Sequence, residues 1–139
     1  MIVLDTNVLS EIMKAKPDLG VIGWMAAQAA ADLYTTSITQ AEILHGVMLL
    51  TPGRRRRALE AAATSMFEEE FADRILGFGS DAASFYARIA SDRRRAGRPI
   101  SHFDAQIAAI ARVSRAAIAT RNTADFEGCG VAVVDPWKS

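Results

Sequence analysis

Short apolar runs rich in β-branched residues alternate with helix-forming segments along the whole chain. The runs lie at residues 2–4, 33–36, 75–78, 116–120 and 131–134 and are typical of buried strands. Strands that alternate with helices favour a parallel sheet covered by helices on both faces. The pattern therefore predicts an α/β fold, a three-layer α/β/α sandwich with a mainly parallel central sheet.

Helical segments fill the intervals between these runs. The predicted helices are one through Val8, Leu9 and Ile12, one at residues 23–32, one that begins at Thr39, two at residues 54–67 and 82–96, and one that begins at Ser101. A chain of 139 residues has the usual size of one domain, and no repeat or low-complexity linker divides it. We therefore expect a single domain over residues 1–139.

The composition is typical of a folded protein from a reducing compartment. Half of the residues are hydrophobic, as in folded proteins. The 16 basic residues balance the 16 acidic ones, so no net positive charge indicates a nucleic-acid partner. Local basic patches could still bind RNA. The single cysteine, Cys129, has no internal disulfide partner. No basic leader precedes the first apolar run, and charged residues interrupt every longer one. We expect a cytoplasmic protein without a membrane partner.

Four acidic residues occupy positions where a strand should end or a helix should begin. They are Asp5, Glu42, Asp104 and Asp125. Each has an ordinary explanation as a helix cap. Glu42 and Asp104 close capping-box patterns that open at Thr39 and Ser101, Asp125 closes an approximate one that opens at Asn122, and Asp5 precedes a helix. A capping carboxylate stabilises a helix and catalyses nothing. No single acid therefore decides the function.

Asp104 fits the capping explanation poorly. On a helical wheel it shares a face with Ile107 and Ala108, which should point towards the core. Burying an unpaired charge costs on the order of several kcal/mol, so a cation or a polar cluster is implied there. Glu42 lies away from the apolar face of its own helix. The wheel therefore predicts solvent exposure for Glu42.

The predicted fold offers one place where the four acids can meet. Ligands of open parallel sheets bind beyond the carboxyl ends of the strands. Asp5 and Asp125 follow strands, while Glu42 and Asp104 are expected in first turns of helices that can open onto that edge. Converging carboxylates repel one another unless cations or protons neutralise them. Ligands that are all oxygen favour Mg²⁺ or Mn²⁺, and this points to a metal-dependent phosphodiesterase.

Five segments carry a resemblance to a known family: MIVLDTNVLSE, ITQAEILHGV, HFDAQIAAIA, ATRNTADFEG and VAVVDPW. Together they resemble the PIN-domain ribonucleases, and within that family the VapC-type toxins of bacterial toxin-antitoxin pairs, close to the FitB-like branch. The resemblance implies that Mg²⁺ or Mn²⁺ is held by the acidic quartet of Asp5, Glu42, Asp104 and Asp125. It also implies four polar helpers that orient water or the acids, namely Thr6, Asn7, Thr120 and Asn122.

The resemblance further implies an activity and a set of partners. The expected reaction is hydrolysis of RNA phosphodiester bonds by water that the metal activates. The expected partners are RNA, a cognate antitoxin of the VapB or FitA type, and a second copy of the chain in a homodimer or a larger toxin-antitoxin assembly. DNA would be reached only through the antitoxin. Arg98, close to a basic run at residues 93–95, is the side chain that we place near the substrate.

Two other functions stay open. A phosphatase of the haloacid dehalogenase type also begins with an apolar strand that ends in aspartate, but its usual second aspartate is replaced here by Asn7. A non-catalytic module that binds RNA or protein would use the acids only as helix caps. The complete acidic quartet argues for the ribonuclease over both.

Overall fold

The centre of the molecule is a sheet of five parallel strands. The computed structural model describes residues 1–138, and its strands are β1 (Ile2–Leu4), β2 (Leu33–Thr36), β3 (Ile75–Leu76), β4 (Ala117–Ala119) and β5 (Val133–Val134). Their order across the sheet is β3-β2-β1-β4-β5, and each neighbouring pair is parallel. Each strand lies within one of the predicted runs, which confirms their positions.

Six α-helices cover the sheet. They are α1 (Thr6–Ile12), α2 (Leu19–Ala26), α3 (Ser37–Met48), α4 (Arg54–Ser65), α5 (Ser80–Arg95) and α6 (His102–Ser114). A π-helical turn at Met66–Glu70 extends α4, and shorter 3-10 turns lie at Ala30–Asp32, Thr123–Phe126 and Pro136–Lys138. Within residues 1–138, no helix combines the length and the apolar character needed to cross a membrane.

The central strand β1 contributes to the cores on both faces of the sheet. Val3 packs with Ile107 and Ile118 under α5 and α6, while Leu4 packs with Leu9 and Phe67 on the opposite face. Successive side chains of a strand point to opposite faces, so two adjacent residues reach two layers. Both Val3 and Leu4 are fully buried. The structure is therefore the predicted three-layer α/β/α sandwich.

Three helices begin earlier than predicted, namely α2, α3 and α5, and α5 begins at Ser80 rather than at residue 82. Helix α2 begins at Leu19 rather than at residue 23, since the Asp18 side chain accepts a hydrogen bond from the Val21 N–H at 3.1 Å. Its end at Ala26 also falls short of residue 32, and a separate 3-10 turn follows.

Helix α3 begins at Ser37 rather than at Thr39. The hydroxyl of Thr36 accepts a hydrogen bond from the Thr39 N–H at 3.1 Å and so caps the helix. Glu42 consequently lies in the second turn of α3, and the predicted capping box between Thr39 and Glu42 does not form. This removes the ordinary explanation for the Glu42 carboxylate.

The strand order places a crevice at the carboxyl end of β1. From this strand the sheet continues through β2 and β3 on one side and through β4 and β5 on the other. Such a reversal leaves room between the loops that follow neighbouring strands. Asp5 follows β1 directly and Thr120 follows β4, and the Asp5 N–H still donates to the Ala119 carbonyl at 2.9 Å. The sheet therefore brings residues from distant segments to one edge.

Candidate functional site

Asp5 is a buried carboxylate at the centre of this edge, with 4% of its surface exposed. Its Oδ1 accepts a hydrogen bond from the Thr6 N–H at 2.8 Å, as expected of a helix cap, and its Oδ2 accepts one from the Thr120 hydroxyl at 2.8 Å. Burial raises the pKa of Asp5 from 3.8 to about 6. The two hydrogen bonds lower this pKa, while repulsion from Asp104 and Glu42 raises it further.

Asn7 and Thr120 form a small network that fixes the orientation of Asp5. The Asn7 side-chain amide donates to Asp5 Oδ2 at 3.2 Å and to the Thr120 hydroxyl oxygen at 3.1 Å. The side-chain Oδ1 of Asn7 accepts a hydrogen bond from the backbone N–H of Arg121 at 3.1 Å. The Thr120 hydroxyl oxygen also accepts one from the backbone N–H of Asn122 at 3.1 Å. The loop after β4 is thereby tied to the beginning of α1.

Glu42 is half-buried, so the exposure predicted from the helical wheel is wrong. The Thr6 hydroxyl lies 2.9 Å from Glu42 Oε1 and 3.1 Å from the Thr39 hydroxyl. Because Thr6 has one hydroxyl proton, donation to the carboxylate leaves Thr39 as the donor to Thr6. Burial raises the pKa of Glu42, the Thr6 hydrogen bond lowers it, and the charge of Asp104 raises it.

Asp104 lies in the first turn of α6, where the Ser101 hydroxyl accepts a hydrogen bond from the Asp104 N–H at 3.1 Å. Its carboxylate is half-buried, and burial raises its pKa. A hydrogen bond with Ser101 lowers this pKa, the charge of Asp125 raises it, and the charge of Arg93 lowers it. The cap and the inward position expected from the sequence are thus both present.

Asp125 stands apart from the other three acids. It lies in the 3-10 turn Thr123–Phe126, its side chain is exposed, and the Asn122 side chain does not cap this turn. The approximate capping box expected there is therefore absent. Asp125 is still close enough to raise the pKa of Asp104. The structure thus gathers three of the predicted acids and leaves the fourth at the edge of the group.

Asp5, Glu42 and Asp104 line one cavity of about 430 Å³. Three of the predicted polar helpers also line it, namely Thr6, Asn7 and Asn122. Thr120 is not part of the cavity wall, but it orients Asp5 and Asn7 through its hydrogen bonds to them. Neither Asp125 nor Arg98 belongs to the cavity wall.

The ligand atoms of this cavity suit a hard cation. They are carboxylate, hydroxyl and amide oxygens, and within residues 1–138 no three histidine, cysteine, aspartate or glutamate side chains stand ready as a complete metal cage. Mg²⁺ commonly keeps several waters and binds one or two carboxylates directly, so a complete cage is not required. Burial and, to a smaller extent, repulsion from Asp104 and Glu42 raise the pKa of Asp5, and a bound cation would offset both effects. The residues therefore fit a hydrated divalent ion.

Helix α1 and the turn after it present a polar face to the cavity that the sequence analysis missed. Ser10, Glu11 and Lys14 line the cavity together with Asn7. These residues are three, four and seven positions after Asn7, the spacing of one side of a helix. Polar residues at helical spacing after Asn7 are the feature of the sequence from which Ser10, Glu11 and Lys14 could have been predicted.

Arg93 and Arg98 fasten the segment that carries Asp125. Arg93 is 7% exposed and donates to the carbonyls of Arg98 at 2.7 Å, Asp125 at 2.7 Å and Glu127 at 3.0 Å. Arg93 is thus buried and fully engaged, although it belongs to the basic run at the end of α5. Arg98, predicted near the substrate, forms an ion pair with Glu127 at 2.9 Å instead. Its predicted place near the substrate therefore gains no support from the cavity.

Replacing Arg93 by lysine is expected to lower the free energy of unfolding by about 2 kcal/mol, because one ammonium cannot serve three carbonyls and each buried unpaired group costs about 1–3 kcal/mol. Urea unfolding measures the loss. Arg94→Lys, an exposed position on the same helix, is the matched control and should change stability by less than about 0.5 kcal/mol. Equal urea midpoints for the two variants would contradict this role of Arg93.

The chain is similar to known proteins over nearly its full length. Residues 2–128 match the family described as PIN domain. The VapC ribonuclease Y4jK of Sinorhizobium fredii is 38% identical over 138 residues, which cover 99% of each chain. Toxin FitB of Neisseria gonorrhoeae is 38% identical over 137 residues, again 99% of each chain.

A solved structure shows the same likeness in three dimensions. A chain in the structure of FitAB bound to an IR36 DNA fragment superposes with a TM-score of 0.92 at 38% identity. The likeness covers 99% of this chain and 96% of that chain. The fold that carries the acidic cavity is therefore shared with that protein.

Proposed function

Since this chain belongs to the PIN-domain family, we propose that it is an endoribonuclease that requires Mg²⁺ or Mn²⁺ and acts as the toxin of a toxin-antitoxin pair. One observation carries the proposal. Asp5 is buried with a raised pKa and lines the same cavity as Glu42 and Asp104, at the carboxyl edge of the sheet. We also propose that residues 1–139 are a single PIN domain.

The side chains around the cavity are oriented before any ligand binds. Both carboxylate oxygens of Asp5 accept hydrogen bonds, and Glu42 accepts one from Thr6. Fixed carboxylates need little rearrangement when they take up an ion or place a substrate. When bound, Mg²⁺ or Mn²⁺ supplies activation of water and neutralises charge on the scissile phosphate. The role of the protein is then to hold the acidic side chains in one orientation and to exclude other orientations of these side chains.

Asp125 completes the proposed acidic quartet from the edge of the cavity. Its charge acts on Asp104, and Arg93 holds its backbone. An exposed acid on a short turn can move towards a ligand more easily than Asp5 can. Thr6, Asn7, Thr120 and Asn122 are the accessory polar residues of this proposal.

The proposed partners follow from the named relatives. FitB is named a toxin, and FitAB is seen with DNA. We propose that this chain likewise binds a small antitoxin of the FitA or VapB type, reaches DNA only through it, and assembles as a homodimer or a larger complex. Its proposed place of action is the cytoplasm, where RNA is available.

A haloacid dehalogenase type of phosphatase is disfavoured by the surroundings of Asp5. Such an enzyme needs one free carboxylate oxygen as nucleophile. Here Oδ2 accepts hydrogen bonds from both Thr120 and Asn7, and Oδ1 accepts from Thr6. Asn7 occupies the place of the usual second aspartate and serves to orient Asp5. This arrangement suits a fixed acid better than an attacking one.

The proposal is tested by incubating the purified chain with total RNA in Mg²⁺, in Mn²⁺ and in a chelator. We expect fragments with defined ends in one or both metals and none in the chelator, because the acids alone cannot activate water. Expression of the chain alone should arrest bacterial growth, and co-expression of its antitoxin should restore it. Intact RNA in both metals together with normal growth would overturn the proposal.

A further inference from the structure

Two cationic side chains, Lys14 and Arg121, line the acidic cavity, and the roles assigned above leave both without a function. We propose that they bind phosphates of a single-stranded RNA next to the one that is cleaved. The inference rests on the proposed ribonuclease function and names how that site takes up its substrate. RNA phosphates are then bound by these two residues rather than by Arg98 and the basic run at residues 93–95.

Lys14 is held at the cavity by a buried partner. Its ammonium lies 2.9 Å from Glu11 Oε1, and Glu11 is fixed in turn by the Asp18 N–H at 3.0 Å. The Glu11 side chain is 8% exposed, whereas that of Lys14 is 60% exposed. An ammonium has three N–H donors, and Glu11 occupies one. Lys14 therefore presents a positioned charge with free donors to the solvent.

Lys14 also lies where two cavities meet. Besides the acidic cavity, it lines a larger one of about 720 Å³ formed by α1, α3 and α4. The Lys14 side chain is 60% exposed, so its charge is accessible from both cavities.

Arg121 is attached to the same network that orients Asp5. Its backbone N–H donates a hydrogen bond to Asn7 Oδ1 at 3.1 Å. Its guanidinium lies over the Trp137 ring, 5.2 Å from the ring centre. Within residues 1–138 this guanidinium forms no salt bridge. A stacked guanidinium keeps its in-plane donors, which match the geometry of a phosphate. Arg121 is therefore oriented and unneutralised beside the acids.

The charges of the cavity explain why such residues are needed. Four of its lining residues are acidic, namely Asp5, Glu11, Glu42 and Asp104. An RNA backbone that approaches them is repelled, and the chain as a whole is neutral and offers no compensating long-range field. Besides the proposed metal ion, the cations nearest to an RNA in this cavity are those of the cavity wall itself. Lys14 and Arg121 are the basic residues in that wall.

The other arginines near the site are already engaged. Arg93 donates to three backbone carbonyls, and Arg98 is paired with Glu127. Lys14 is also paired, with Glu11, but Lys14 and Arg121 line the cavity, whereas Arg93 and Arg98 do not.

The test measures how RNA binding depends on salt. A fluorescent single-stranded RNA is titrated with the Asp5→Asn protein in Mg²⁺, so that cleavage does not interfere, at several salt concentrations. Each phosphate contact on a single strand contributes about 0.7 to the slope of log affinity against log salt. We expect Lys14→Gln and Arg121→Gln each to reduce the slope by about 0.7, and the double variant by about 1.4, regardless of RNA sequence.

Matched controls separate this effect from a general loss of charge. Lys16→Gln and Arg94→Gln each remove an exposed charge outside the cavity and should leave the slope unchanged. Arg121→Lys keeps the charge and loses the planar donor pair, so affinity should fall while the slope stays. Lys14→Ala and Arg121→Ala repeat the measurement in case one glutamine variant fails to fold.

The outcomes distinguish this inference from the function on which it rests. Slopes for the Lys14 and Arg121 variants equal to those of the controls overturn the inference, and so does the absence of any RNA binding. If the chain with Asp5 intact cleaves RNA but the salt slopes of the Lys14 and Arg121 variants are unchanged, the phosphate contacts are refuted and the ribonuclease function stands. Reduced slopes without any cleavage by the Asp5-intact chain keep the RNA contacts and refute the ribonuclease.

Discussion

Asp5→Asn is expected to reduce metal-dependent RNA cleavage by about 10³-fold, a loss typical of removing one preorganised charged group from an active site. Asp5 is the most buried of the four acids, and three donors fix it. Asparagine fills the same space but carries no charge to hold a cation. A cleavage assay under single-turnover conditions, at saturating Mg²⁺ or Mn²⁺, measures the change directly.

The same variant should remain folded. Asparagine keeps one acceptor oxygen and loses the other, while the cost of a buried charge disappears. The melting temperature without metal at pH 7 should therefore be at or above that of the parent. Asp92→Asn, an exposed aspartate on α5, is the matched control and should cleave normally. Cleavage by Asp5→Asn at the rate of this control would remove Asp5 from the mechanism.

Metal-free protein is expected to lose stability as the pH rises from about 4 to about 6, and Asp5 is the reason. Its pKa is raised from 3.8 to about 6 by burial, so between these values the folded state binds more protons than the unfolded state. Stability then falls with rising pH, and the full cost is present above the folded pKa. A shift of about two units corresponds to about 3 kcal/mol.

The comparison of two proteins isolates this effect from the other acids. Glu11, whose pKa is lowered by Lys14, contributes in the opposite direction and is common to both proteins. Urea unfolding of the parent and of Asp5→Asn in a chelator, between pH 4 and pH 8, gives the difference. Their stabilities should diverge by a few kcal/mol in favour of the variant as the pH rises. Parallel pH profiles would show that Asp5 has an ordinary pKa.

Added metal should reverse the loss in the parent alone. A ligand at 100 times its dissociation constant stabilises the folded state by about 2.7 kcal/mol. Mg²⁺ or Mn²⁺ at pH 7 should therefore raise the melting temperature of the parent and leave Asp5→Asn unchanged. Equal stabilisation of both proteins would place the ion elsewhere.

Local patterns in the sequence predict the sheet and the positions of two acids well. Asp5 follows a short β-branched run and caps the helix after it, and Asp104 shares the inward face of α6. Both properties depend on neighbours within a few residues, where strand and helix periodicities operate. The three-layer arrangement follows from the same alternation. These features lie within reach of sequence reasoning because short-range geometry determines them.

Glu42 and Arg93 show what the sequence could not supply. Glu42 looks exposed on a helical wheel, but its partner Thr6 comes from another helix 36 residues away. Arg93 looks like a solvated helix end, but its carbonyl partners lie on a loop up to 34 residues later. A wheel describes one helix and carries no information about what packs against it. Long-range contacts decide both residues.

The hydrogen bond from Thr120 to Asp5 joins residues that are 115 positions apart. A nascent chain that ends after α6 contains β1, yet it lacks both β4 and the hydroxyl that orients Asp5. Contacts between such distant residues are slow to form, because the entropy of closing the loop must be overcome first. Asp5 can therefore reach its working geometry only after Thr120 has been synthesised, and a nascent chain that ends before β4 lacks the arranged site of the proposed ribonuclease.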